Sequence, residues 1–224
     1  MENNLFITKL NYFLNLLIII YNYKSLFMRA FILFLILIFC FQPWTKADDI
    51  RDFEIEGMSI GDSLLNYFSE EEIKENEKRA YVQKNKFIIN GFYKHSNFKI
   101  YDNVQVTYKK KDKKYLLYAL EGKIYYKENI QECYPKKDLI VDDISQALKD
   151  VAKKLDAGSK KHEADKSGNS KSTVVEFWFE NGDLARVICT DWSKELENKN
   201  YWDDLSVILN DKEYADFLMY EAYK

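Results

Sequence analysis

Hydrophobic positions along the chain fall into distinct regimes. Up to residue 41 they run together without alternation. From 81 to 130, and again from 173 to 191, they alternate with polar residues, which is the period of a strand with one face buried. Between 138 and 155 they recur at helical spacing: Ile140, Ile144, Ala147, Leu148, Val151 and Leu155 make one stripe. Asp142 and Asp143 near the start and Lys153 and Lys154 near the end suit the helix dipole, and Gly158 serves as terminator.

The remaining elements follow from the same pattern. A short strand at 52–56 stops at Gly57, Ser59 opens a short helix, and the capping box Ser69-Glu70-Glu71-Glu72 opens another to about residue 79. Val104, Val106 and Tyr108 share one strand face, and Leu116, Tyr118 and Leu120 share a face of the next. The lysine-rich stretch 109–114 between them reads as a solvated hairpin tip. Strands at 173–180 and 184–191 flank Asn181-Gly182-Asp183. A three-residue connection sets Val175, Phe177 and Phe179 opposite Cys189, Val187 and Ala185. The other face then carries Glu176, Trp178 and Glu180 beside Ile188, Arg186 and Leu184, with Arg186 able to lie over Trp178. A strand at 205–209 precedes a final helix capped by Asp211, whose second side shows Met219, Tyr220 and Tyr223. Residues 156–172 lack an apolar period and are expected to form a mobile surface loop. The fold class is α+β: an antiparallel sheet of hairpins with helices packed on one face, one domain over 48–224, after an N-terminal apolar leader.

The leader decides the compartment. Arg29, the apolar run 30–41 and the small residues ahead of Asp48 meet the requirements of a secretory signal peptide over 28–47. As a helix, the run 30–41 is about 18 Å long at 1.5 Å per residue, short of a hydrocarbon core of about 30 Å. The upstream run 13–20 is explained either by a true start at Met28, with 1–27 an extension, or by an extended apolar n-region. The expected localisation is periplasmic or secreted; the alternative is an uncleaved leader that anchors the chain in the inner membrane. Cys40 follows the bulky Phe39, which argues against lipidation there.

Charge narrows the partners. The chain carries 33 basic and 36 acidic residues, and the leader holds mostly basic ones, so the body is distinctly acidic. Nucleic acid is not the expected partner; an envelope protein or a polysaccharide remains open, and membrane contact is expected only through an uncleaved leader. Beyond the leader two cysteines remain, Cys133 and Cys189, and in an oxidising compartment they are expected to pair.

Reaction chemistry is not written in any motif. The sequence has no Gly-rich phosphate loop, no HExxH, no CxxC and no Gly-x-Ser-x-Gly. Its only histidines are His95, in an expected turn, and His162, near Glu163 and Asp165 in the expected loop; neither supports a metal site. No cofactor and no catalytic residue is assigned. Glu176 and Glu180, on one strand face, are the least bland carboxylate pair.

Ile55-Glu56-Gly57-Met58-Ser59 ahead of a short helix, and Phe177-Trp178-Phe179-Glu180-Asn181-Gly182, resemble segments of the small lipoprotein of the outer-membrane β-barrel assembly machinery and its β-lactamase-inhibitor-like relatives. The body as a whole resembles exported bacterial proteins. The resemblance implies export and helices on one side of an antiparallel sheet; it departs at the missing lipobox and carries no functional residue across. The expected function is therefore an exported, non-catalytic envelope or binding protein using Trp178, Arg186, Tyr220 and Tyr223. The alternatives are a hydrolase-like enzyme with Glu176 or Glu180 in a cleft, and a membrane-anchored protein.

Overall fold

The strands are β1 (Glu77–Lys78), β2 (Phe87–Tyr93), β3 (Asn103–Lys109), β4 (Ala119–Tyr125), β5 (Ala152–Lys161), β6 (Lys171–Phe179), β7 (Leu184–Asp191) and β8 (Asp204–Asn210). They form one antiparallel sheet in the order β1-β2-β3-β4-β8-β7-β6-β5. The helices are α1 (Glu70–Glu75), α2 (Cys133–Ala147), α3 (Lys194–Glu197) and α4 (Lys212–Tyr220). This computed structural model describes residues 49–78, 86–163 and 165–222, so the expectations for the leader and for Tyr223 fall outside it.

The chain lays down one meander, β1 to β4, crosses through α2, and lays down a second, β5 to β8. The two meet at β4 and β8, whose register is symmetric about Gly122 and Val207: Ala119 pairs with Asn210 and Tyr125 with Asp204. Side-chain parity divides the sheet into two faces. On the covered face, Val104, Val106, Leu120, Leu205, Val187 and Phe177 are buried beneath the segment 50–73 and beneath α2. The segment 50–73 is tied down by Glu56, whose carboxylate accepts the backbone N–H groups of Lys99, Ile100 and Tyr101 at 2.8, 2.7 and 2.9 Å. Helix α2 is fastened by the disulfide Cys133–Cys189, with Cα atoms 6.0 Å apart. Gly122 is required by its neighbour: a Cβ there would lie 2.7 Å from the Tyr101 ring.

The expected element types mostly hold, while several boundaries move. Ser69 and Glu72 form the capping box of α1, and Asp211 caps α4 through the N–H of Tyr214 at 3.1 Å. The stretch 52–56 is not a strand; it is a 3-10 turn at Ile50–Asp52 and an isolated Ile55–Met58 bridge. The helix start moves from Ser59 to Ser63, which caps a 3-10 turn at Leu64–Asn66. Helix α2 spans Cys133–Ala147, and Leu155, expected on its stripe, is 47 % exposed in β5.

The expected loop 156–172 is strand up to Lys161 and again from Lys171. Its turn is organised by Asp165, which accepts from the N–H groups of Ser167 and Ser170, both at 2.9 Å, and from the Ser170 hydroxyl at 2.6 Å. The β6–β7 connection is four residues long: Phe177 pairs with Ala185 and Val175 with Val187, two positions from the expected register. A slip of two leaves every side chain on its expected face.

Helices do not all lie on one face. Helix α4 crosses to the opposite side and buries Tyr214 and Phe217 against Phe87 and Ala119. The Phe87 ring lies 5.1 Å from each of the two aromatic rings.

Candidate functional site

Because α4 caps only one end of its face, the rest of that face is a cleft of about 730 Å³. Four strands supply its floor in two cross-strand rows. The register aligns Glu121, Ile208, Arg186 and Glu176 in one row, and Lys123, Ser206, Ile188 and Val174 in the next. Leu218 and Met219 of α4 wall one end, while His162, Lys160 and Trp192 wall the other.

A closed charge network occupies the β4–β8 seam. Lys123 Nζ lies 2.9 Å from Glu121 Oε1, 3.1 Å from Asp204 Oδ1 and 3.0 Å from the Ser206 hydroxyl. All three ammonium protons are thereby used. The Ser206 hydroxyl lies 2.9 Å from Glu121 Oε1 and 2.6 Å from Asp204 Oδ1, close enough to donate to either. The Asp204 side chain is only 3 % exposed. Burial alone would raise the Glu121 pKa, but the Lys123 cation and its hydrogen bonds hold it below the usual carboxylate range. Burial likewise opposes the charge of Lys123, and Asp204 and Glu121 outweigh it and raise its pKa. Both groups therefore stay ionised near neutral pH and neither is poised to transfer a proton there.

Arg186 differs from Lys123. It makes no hydrogen bond or ion pair among the described residues, although its Nε is shut away from solvent. The register sets Glu176 opposite it, but the Glu176 carboxylate accepts from the Trp178 indole Nε1 at 3.1 Å. Asn210 and Ser172, both on the cleft wall, also carry a buried polar atom without a protein partner, Nδ2 and Oγ respectively. Asn210 is level with Leu184, two residues from Arg186, whereas Ser172 is level with Thr190 toward the other end of β7. Buried donors are costly to leave unpaired, so the neighbouring Arg186 and Asn210 mark a place where a polar ligand or ordered water completes the bonding.

Of the expected site residues, Arg186 lines the cleft. Trp178 does not line the cleft but donates to Glu176, and its expected cation partner Arg186 is instead aligned with Glu176. Tyr220 is 60 % exposed on α4. Glu180 lies in the β6–β7 turn, outside the cleft, and is exposed. Sequence reasoning did not single out Glu121, Lys123, Asp204 or Ser206, which converge from strands far apart in the chain. It placed His162 on a loop, and the residue does lie in the β5–β6 connection; its ring packs at 4.3 Å on Trp192 at the cleft rim. An aromatic surface does exist, but at the β2–β4 end: Tyr93 and Tyr125 pack around Trp202, and Lys127 Nζ sits 3.4 Å above the Trp202 ring. Among the described residues no cluster of His, Cys, Asp and Glu is arranged to hold a metal, and no helix is long and apolar enough to cross a membrane.

Fold and site together define an α+β protein whose antiparallel sheet is covered on one side and hollowed by a half-polar cleft on the other. No protein-family model, curated protein or solved structure matches the chain.

Proposed function

We propose that this chain is an exported, non-catalytic binding protein that holds its ligand on the uncovered face of the sheet. The observation that carries the proposal is the contrast within the cleft between Lys123, saturated by hydrogen-bonded protein partners, and Arg186, which acts on Glu121 through its charge but makes no hydrogen bond or ion pair among the described residues. The network gives a rigid floor whose two carboxylates outnumber its single ammonium, and Arg186 gives a hydrogen-bond donor above it that no described residue satisfies. The cleft volume falls within the few hundred to one thousand Å³ usual for small-molecule sites. Export is supported by the signal-like pattern of 28–47 and by the buried cysteine pair, which suits an oxidising compartment.

A carboxylate hydrolase at Glu176 gains less support, because its carboxylate accepts from the Trp178 indole at 3.1 Å.

Native mass spectrometry of the protein from its natural source tests the proposal. The expected result is an amino terminus at Asp48, two oxidised thiols and a non-covalent adduct that is lost when Ile188→Arg fills the cleft. A bare 224-residue chain with free thiols would overturn it.

A further inference from the structure

We propose that the cleft takes a single carboxylate carried on an aliphatic body, with the carboxylate on Arg186 and Asn210 and the body along Ile208, Ile188 and Val174. This rests on the cleft being the binding site and adds the class of ligand.

Arg186 and Asn210 are diagonal neighbours on one face of the β7–β8 pair, since Arg186 pairs with Ile208 and Leu184 with Asn210. Diagonal positions lie about 7–8 Å apart, close enough for two long polar side chains to converge on one acceptor. Asn210 is 1 % exposed, and its Nδ2 has no protein partner. The guanidinium fork and the amide N–H are donors only, and a planar two-oxygen anion matches a guanidinium in a bidentate manner.

The charges nearest Arg186 favour an anion of low charge. Glu121 and Glu176 share its cross-strand row, while Lys123 is held by its own carboxylates and Lys160 and Lys161 stand in β5 at the cleft rim. A phosphate dianion at Arg186 therefore meets two carboxylates, and a monocarboxylate brings the smallest added charge. The remaining surface is aliphatic. Ile208 and Ile188 flank Arg186, Val174 continues the floor, and Leu218 and Met219 overhang the α4 end.

The test is calorimetric titration of protein expressed from the full chain and purified as the cell delivers it, with octanoate, octanol, octylamine and inorganic phosphate. Octanoate is expected to bind at least ten-fold more tightly than octanol, and octylamine and phosphate more weakly still. R186Q is expected to lose at least ten-fold in octanoate affinity, to keep its octanol affinity, and to melt no lower than the parent. N210S is expected to lose octanoate affinity in the same sense. Equal octanoate affinity in parent and R186Q overturns the proposal, as does a lower Tm in R186Q, which would assign Arg186 to the fold. Binding of octanol or octylamine in preference to octanoate removes the carboxylate and keeps the cleft as a site. Absence of binding by all four probes removes both.

Discussion

The Trp178 indole N–H donates to the Glu176 carboxylate at 3.1 Å, so the acid that the strand register sets opposite Arg186 is turned to the indole. The two residues are i and i+2 on one strand and share a face. W178F is therefore expected to release Glu176 toward Arg186 and to weaken octanoate binding several-fold, although Trp178 does not line the cleft. Calorimetry on W178F and on W178F/E176Q checks this: the double variant should regain affinity, and failure to regain it would show that Trp178 acts on Arg186 by another route.

Lys123 compensates two carboxylates, the buried Asp204, only 3 % exposed, and the half-buried Glu121. K123M leaves Glu121 and Asp204 without their cation, and breaking a buried pair in this way costs about 3–5 kcal/mol. Urea unfolding should show that loss near neutral pH, with most of it recovered in E121Q/K123M/D204N, which removes the charges together.

Burial, followed by the Lys123 cation, holds the His162 pKa below its ordinary value, against the pull of Asp204, Glu163 and Asp165. The unfolded chain therefore takes up a proton at His162 at higher pH than the native fold does. Stability from this group is whole above about pH 6.5 and declines as pH falls through that value toward the depressed native pKa. Thermal melts between about pH 7 and pH 5 should show a fall in Tm that is smaller in H162Q. Equal slopes would locate the acid sensitivity elsewhere.

The bridge between Cys133 and Cys189 closes a sequence separation of 56 residues. Chain entropy gives it about 4 kcal/mol of stabilisation, which C133A/C189A should lose in denaturant unfolding. Both sulfurs are buried, at 0 % and 1 % residue exposure. A thiol reagent should therefore leave Cys133 and Cys189 unmodified in the native protein until reductant and denaturant are added together.

At Gly122 the Tyr101 ring occupies the space of a side chain. G122A is expected to cost about 1–3 kcal/mol by overpacking, and Y101L/G122A to recover part of it in the same unfolding assay.

Sequence legibility followed locality. The capping box at Ser69, the cap at Asp211, strand β8 and the cysteine pairing are short patterns or forced choices, and each could be seen without the fold. Strand β5 could not, because it lies at the sheet border: Lys153, Lys154, Lys160 and Lys161 are exposed, so no apolar face announces a period of two. Its Leu155 then lent itself to a helical stripe that ends at Ala147. The β6–β7 register was ambiguous by two residues because such a slip preserves both faces. Of the candidate site, Arg186 was visible as a charge on an otherwise half-apolar face. Glu121, Lys123, Asp204 and Ser206 become one network only when β4 and β8 meet, a pairing that joins positions more than eighty residues apart and leaves no local trace.

The β5 border of the sheet has a consequence for assembly. It is studded with lysines and broken by a bulge between Asp156 and Gly158, so it offers a visiting chain no straight run of open amides. Growth by lateral zippering onto that margin, whether into a dimer or a fibre, is thus discouraged.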